Sequence, residues 1–502
     1  MSSLSFSRNR TSGGNTEKYM SHTAGPLHGG SDSRATGESH PEKIEEHINP
    51  HNYEGPSMNN PAFIVGSLLI LGVPAMAQLN IPFRTETLSN GLKVILHEDH
   101  SAPIVSVNIW YHVGSGREKP GRTGFAHLFE HMLFQGSQNV GDDKHFAYIQ
   151  EAGGTLNGST NNDRTNYFET VPSQFLEMVL WLEADRMGFL LPAMTLEKLD
   201  NQRDVVKNER RQSYENQPYG LAFEKIQALM YEPDYPYSWP TIGSMDDLSA
   251  ASLEDVSAFF RAYYVPNNAA LVIAGDFDPK QTMQWVEQYF GSIPAGMKVP
   301  VPEVAEPTLA GEKRDLMEDR VQLPRLYLAW NTPKLSTSGD AAFDLIADLL
   351  AGGKSSRLYR SLVYEKQIAQ DVSSFQYSRR FSGALWIEVT AKPGFTLGEI
   401  EKEVLAEIER LKKEPPTERE LQRAKNSIRA GFIYRIQSTS EKADQMNAYN
   451  LFYGDPGAFG KDLERYQSVS ATDLQKHAQT YLTDARVVFS VVPLGRTDLA
   501  AQ

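Results

Sequence analysis

Two stretches of this chain carry the same spacing a domain's length apart. Ser252, Asp255 and Tyr263 mark a helical pattern that leads into the apolar run 270–274. Ser470, Asp473 and Tyr481 repeat those offsets and lead into the apolar run 487–492. Two such helix-to-strand endings predict duplication of one α+β unit. The length, 502 residues, agrees, because it exceeds what one core organises. Residues 294–311 carry Pro294, Pro300, Pro302 and Pro307 with little periodicity, and are expected to be a linker. The expected plan is a leader at 1–57, a signal-like or anchoring segment at 58–77, a first domain at 78–293, the linker, and a second domain at 312–502.

Within the first unit, 92–97 and 104–111 are rich in β-branched and aromatic residues and are expected as strands. Helical patterns follow at 123–135, 173–187, 195–214 and 253–264.

The chain has no cysteine, so disulfides and thiolate metal ligands are excluded. Any metal must be held by His, Asp or Glu. The net charge of -14 argues against nucleic acid as a partner, since phosphate binding needs a concentrated basic face.

Residues 1–57 are rich in Ser, Gly, His, Asn and Glu and are expected to be a solvated tail. Five of the twelve histidines lie there: His22, His28, His40, His47 and His51. Residues 62–77 are apolar and end in Ala75, Met76 and Ala77, an A-x-A pattern before Gln78. That reads as a secretory segment with its cleavage site, and it is short for a membrane span. Met58 is then the start of the precursor. No Lys or Arg lies between Met58 and the run, which departs from the usual signal pattern. The expectation is a periplasmic or cell-envelope protein, or else one anchored through 62–77.

In the segment 123–135, Phe125, Leu128, Phe129, Met132 and Leu133 make one apolar stripe. His127, Glu130 and His131 fall on the opposite side. Histidines four apart project from one face, close enough to share an ion. Two imidazoles with a carboxylate beside them form most of a catalytic zinc site. The plainer alternative is a solvated polar face. Phe134 falls on that same side, however, so the face is expected to be covered, and its polar groups then need partners or a metal. The second unit holds no such cluster. On the later helix, Glu197, Asp204, Glu209 and Glu215 are all candidates for a further ligand.

The segment 124–137 resembles the inverted zinc motif of the pitrilysin and insulinase family. Further matches follow in order at 153–160, 165–168, 204–211, 264–268 and 355–358. The resemblance runs from about Pro82 to Gly495 and looks nearest to small bacterial members and the β subunit of the mitochondrial processing peptidase. It implies two similar α+β domains, each a mainly antiparallel sheet with helices packed on it, forming half of a clamshell. It implies a Zn2+ ion held by His127, His131 and Glu209, with the fourth position open. It implies Glu130 as general base in peptide hydrolysis. It also implies that the edge strand at 155–160 pairs with extended substrate along Asn157 and Gly158. From the residues alone, Asn157-Gly158 reads equally as a hairpin turn.

Two departures from the family pattern stand out. Gln202 occupies a position where many relatives carry a Glu behind the zinc Glu, so an amide replaces a charge. The Arg and Tyr with which single-chain relatives hold substrate are replaced by Val363 and Gln370. Arg357 and Tyr364 have the right spacing but sit at the Ser-Ser-Arg-Leu segment. A zinc-bearing chain without the pair is expected to work with a paralogous, zinc-free subunit that carries it. The alternative reading is a non-catalytic or chaperone-like structural subunit.

Overall fold

A computed structural model describes residues 81–501 and two short leader strands, Leu4–Phe6 and Met20–His22, which pair antiparallel. The expected signal-like segment and most of the leader lie outside the described residues. No described helix is long and apolar enough to cross a membrane.

The first half builds a six-stranded sheet from β1 (Arg84–Thr87), β2 (Lys93–Glu98), β3 (Ile104–Tyr111), β4 (Thr155–Thr160), β5 (Thr165–Pro172) and β6 (Ala269–Gly275). Their order is β1-β2-β6-β3-β5-β4, antiparallel except for the parallel pair β2 and β6. Its helices are α1 (Phe125–Met132), α2 (Lys144–Glu151), α3 (Leu176–Phe189), α4 (Leu196–Arg210), α5 (Ala222–Met230), α6 (Met245–Ala250), α7 (Leu253–Tyr263) and α8 (Pro279–Phe290). No helix or strand lies between Phe290 and Lys313.

The second half builds a five-stranded sheet from β7 (Lys313–Asp319), β8 (Arg325–Thr332), β9 (Ala369–Tyr377), β10 (Gly383–Ala391) and β11 (Val487–Pro493). Their order is β9-β10-β8-β11-β7, with β7 and β11 parallel. Leaving out β1, both sheets have the same chain order, neighbours and strand senses. Its helices are α9 (Ser338–Ala351), α10 (Leu397–Lys413), α11 (Glu418–Arg435), α12 (Thr439–Tyr453), α13 (Phe459–Gln467) and α14 (Ala471–Tyr481).

The repeated spacing has a physical cause. Ser252 and Ser470 each accept the amide N–H of Asp255 or Asp473, whose carboxylate takes the serine N–H in return. These capping boxes start α7 and α14, which end at Tyr263 and Tyr481 and feed the equivalent strands β6 and β11.

The halves exchange cover. Strand β2 is buried on both faces. Val94 and Leu96 pack into the first half's core, while Ile95, Val272 and Ala274 pack under Ala443, Met446 and Tyr449 of α12. In return, Ala222, Ile226 and Met230 of α5 pack on Ala329, Trp386 and Phe489 of the second sheet. Polar contacts reinforce the first exchange. Asp444 accepts from Asn108 Nδ2 and Trp110 Nε1, and Asn447 Nδ2 donates to the Asn108 carbonyl. Each half therefore needs the other to bury one sheet face, and residues 79–502 fall in one unit.

Candidate active site

Helix α1 is shorter than its periodicity predicts. Gly124 adopts φ +89°, and an added Cβ there would lie 2.8 Å from the Ile242 carbonyl oxygen. The helix starts only after it. Glu118 caps the start, accepting N–H groups of Gly124 at 2.9 Å and Ala126 at 2.7 Å. Burial pushes the Glu118 carboxyl up to about 8, against the pull of those amides. After Met132 the chain tightens into turns whose amides bond three residues back.

All eight residues of α1 are buried. Its expected wet face is covered, as the position of Phe134 suggested: Phe134 is itself buried against Phe146 and Tyr167. The His127 and His131 rings lie 4.7 Å apart. Helix α4 brings Glu209 to them, with Oε1 at 3.8 Å from His127 Nε2 and Oε2 at 3.2 Å from His131 Nε2. Glu197, Asp204 and Glu215 are exposed, so Glu209 is the one candidate of the four on the inward side. Its neighbours on the helix have partners of their own: Arg210 pairs with Glu224 at 2.8 Å, and Arg211 donates to Asn208. Helix α4 ends one residue beyond Glu209, and Arg211–Glu215 continue as a π-helical turn.

The donor set fits zinc. One atom from each of His127, His131 and Glu209 lies within 4.8 Å of the others. Tetrahedral ligands at about 2.1 Å from zinc stand roughly 3.4 Å apart. The observed separations of 3.2 and 3.8 Å bracket that spacing. Burial works against a charge on His131, but the Glu209 carboxylate beside it overcomes that and raises its pKa. Two imidazoles and a carboxylate in a dry site call for a cation between them.

Glu130 stands beside this set. Its Oε2 accepts the Thr160 hydroxyl at 2.7 Å, and its Oε1 is buried without a hydrogen-bond partner in the protein. Burial pushes its carboxyl up to about 7, against the pull of His131 and Thr160. Strand β4, which carries Thr160, is an edge strand, as expected. Asn157 and Gly158 lie within it, opposite Phe168 and Tyr167, so they are not a turn; the turn comes at 161–164. An added Cβ on Gly158 would stand 3.1 Å from Glu130 Cγ and 3.2 Å from Phe134 Cε2. Glycine there lets the strand close on the helix.

Gln202 is buried on the inward side of α4, two turns before Glu209, with Oε1 taking no protein hydrogen bond. Arg357 is buried and held by Glu420 through two hydrogen bonds, at 2.8 and 3.0 Å, while Tyr364 is exposed. The two do not act together. Val363 and Gln370 leave the expected pair positions without Arg or Tyr.

A second cluster, His145, Glu169 and Glu183, was not foreseen. Arg186 already occupies it, bonding both glutamates. Its guanidinium lies 4.1 Å from the Tyr167 ring centre and 5.2 Å from that of Phe134. Burial pushes His145 down to about 3, so this cluster is an ion network behind the site. Tyr167 in turn donates to the Phe129 carbonyl of α1 at 3.0 Å. Thr160, Glu118 and Arg186 were not assigned roles from the sequence, because their partners lie on other elements.

The fold and donor set define a two-sheet α+β protein whose first half carries a buried His-His-Glu cluster able to hold a metal ion. Residues 93–238 match the description "Insulinase (Peptidase family M16)", and residues 250–428 match "Peptidase M16 inactive domain". The chain belongs to peptidase family M16. It is 29% identical over 424 residues to the zinc protease PqqE of Helicobacter pylori, covering 84% of this chain and 95% of that one. It is 23% identical over 430 residues to the mitochondrial-processing peptidase subunit beta of Lentinula edodes, covering 82% and 90%. A crystal structure of a protease from Helicobacter pylori superposes with TM-score 0.78 at 28% identity, covering 83% of this chain and 100% of that one. A Pseudomonas fluorescens structure described as a peptidase M16 inactive domain shares the fold, with TM-score 0.71 at 21% identity over 82% and 98%. Among the described residues, both clusters able to hold a metal lie in the first half.

Proposed function

We propose that this chain is a zinc-dependent endopeptidase acting on unfolded peptides, with His127, His131 and Glu209 holding the ion. The observation that carries the reading is the approach of Glu209, from a helix remote in sequence, to both imidazoles at 3.2 and 3.8 Å. When bound, zinc supplies a Lewis acid that polarises the peptide carbonyl and acidifies water. Glu130 takes the proton of the attacking water at Oε1, the oxygen that Thr160 leaves open, and delivers it to the leaving nitrogen. A carboxyl pushed up to about 7 suits both transfers. Strand β4 offers its edge to an extended substrate, so Asn157 and Gly158 run beside the cleaved chain.

The test is zinc content by mass spectrometry, then a peptide digest with and without chelator. Glu130→Gln is expected to keep zinc and lose turnover. A zinc-replete wild-type chain that cleaves nothing, alone or with a partner, supports the non-catalytic or chaperone-like alternative instead.

The missing Arg/Tyr pair supports a partner subunit that supplies it. A paralogous zinc-free chain is expected to raise activity severalfold on mixing; full activity of the isolated monomer overturns that part. The apolar run 62–77 supports export to the periplasm or cell envelope. Fractionation, with N-terminal sequencing of the mature chain, tests cleavage after Ala77 against anchoring.

A further inference from the structure

The second half has no zinc cluster among its described residues, yet one of its hairpins reaches the edge strand of the first half. The tip between β9 and β10 covers residues 378–382. Its Arg380 N–H donates to Asp163 Oδ2 at 3.0 Å, and its Phe381 N–H donates to the Tyr237 hydroxyl at 3.1 Å. Tyr237 donates onward to Asp163 Oδ1 at 2.8 Å, so one hydroxyl ties both partners. Tyr377, at the foot of the tip, donates to Asn162 Oδ1 at 3.2 Å. Arg379 is buried against Tyr237, with its guanidinium 4.1 Å from the ring centre.

These contacts fall on the four-residue turn that follows β4, through Asn162 and Asp163, and on Tyr237, which is itself bonded to Asp163 of that turn. The other side of that turn is gripped by the first half. Ser115 and Gly116 donate their N–H groups to the carbonyls of Asn161 and Asn162, at 3.1 and 2.8 Å. A Cβ on Gly114 would lie 2.2 Å from the Asn161 oxygen, so the approach is close. Arg164, buried over the Trp110 ring, donates to the Ser159 carbonyl at 2.7 Å. The turn begins one residue after Thr160, whose hydroxyl holds Glu130.

We propose that the β9–β10 tip is a latch by which the non-catalytic half sets the substrate-pairing edge β4, with Tyr237 and Asp163 as positioning residues. The inference rests on the peptidase reading above. The latch touches neither α1 nor Glu209, so it acts on the strand and not on the metal ligands. Tyr237, Tyr377 and Phe381 share the apolar cluster in which α5 packs on the second sheet, so the rings help hold the halves together. Removing only the polar bridge therefore loosens β4 and leaves that apolar packing in place. A long peptide, which must lie along β4, feels the change; a short one that spans only the cleaved bond does not.

The experiment compares wild type with Tyr237→Phe, which keeps the ring and removes the bridging hydroxyl, and with Asp163→Asn. Zinc content and thermal midpoint are measured first and are expected to be near wild type. Substrates are a peptide of about ten residues, long enough to pair along a whole strand, and a fluorogenic tripeptide. For the long peptide, KM is expected to rise about fivefold to tenfold, the scale of one or two lost hydrogen bonds, with kcat little changed. For the tripeptide, both constants stay. Hydrogen exchange of the β4 amides in zinc-free protein is expected to speed up by a similar factor while the β10 amides do not change. Equal losses on both substrates, or unchanged β4 exchange in both variants, overturns the latch. A zinc-bound wild type that cleaves nothing removes the peptidase reading instead, and the exchange measurement still decides the latch.

Discussion

The Thr160 hydroxyl donates to Glu130 Oε2 at 2.7 Å, joining the edge strand to the proposed general base. It leaves one oxygen of Glu130 for proton transfer and fixes the carboxyl plane. Thr160→Val keeps the shape and removes the donor. A buried carboxylate that loses a hydrogen bond becomes harder to ionise and freer to turn. The variant is expected to retain zinc and lose about tenfold in kcat, a part of the roughly 100-fold to 10,000-fold that a positioned general base contributes. Unchanged kcat at full zinc occupancy would show that Thr160 does not orient Glu130.

Gly158 packs where no side chain fits easily. Its added Cβ would meet Glu130 Cγ and Phe134 Cε2, and neither can readily yield. Glu130 is tied to Thr160, and Phe134 is packed between Phe146, Tyr167 and the Arg186 guanidinium. Gly158→Ala is therefore expected to move β4 away from α1 by a few tenths of an ångström. Activity should fall more than tenfold, because misplacing a reacting group by a fraction of an ångström is costly in catalysis. The thermal midpoint should fall by only a few degrees. A variant with normal kcat/KM would show that the strand has slack at this position.

The catalytic helix was legible because its signal is local. His127, Glu130 and His131 lie within one helical turn and a half, and the stripe from Phe125 to Leu133 states which side packs. Glu209 was not local. Four acids on or near one helix compete in sequence, and burial, a tertiary property, separates Glu209 from the three exposed ones. The duplicated topology showed faintly through Ser252 and Ser470, because a capping box leaves a fixed spacing. The helix exchange left no trace. Ile95 and Val272 report only that the far side of β2 and β6 is covered, and nothing in an apolar residue names α12 as the cover. The Asn157-Gly158 pair stayed ambiguous for a similar reason, since its mid-strand place depends on pairing with Phe168 and Tyr167.

Arg186 holds two buried glutamates behind the site. Burial pushes the Glu183 carboxyl up to about 8, while the Arg186 charge pulls it back. Arg186→Leu would remove the cation and leave Glu169 and Glu183 facing each other beside a neutral His145. Breaking one side of a buried pair costs about 3–5 kcal/mol. Urea unfolding is expected to show a loss of that size, and Tyr167 and Phe134 lose the group they stack on. A loss below about 1 kcal/mol, as for an exposed pair, would mean that the network is wetter than its burial indicates.

Asp344 in α9 gives the second half a pH dependence of its own. The Tyr466 hydroxyl donates to its Oδ2 at 2.7 Å, from helix α13. Asp340 and Asp462 stand near, and the one cation among them, Arg465, bonds Asp340 at 2.9 Å and Asp462 at 2.7 Å. Part of Asp344 reaches solvent, but its carboxyl lies among these groups. Burial and the Asp340 charge push its pKa up to about 7, against the pull of Tyr466 and Arg465. An unfolded aspartate titrates near 3.9. Between those values the folded chain binds the extra proton, so stability declines as pH rises from about 4 to about 7. Asp344→Asn carries no charge at any pH and still accepts from Tyr466. The difference between the urea midpoints of variant and wild type is therefore expected to grow in the variant's favour from pH 5 to pH 8. A constant difference across that range would place the Asp344 carboxyl at its ordinary value and leave the neighbouring aspartates to carry the cluster's charge.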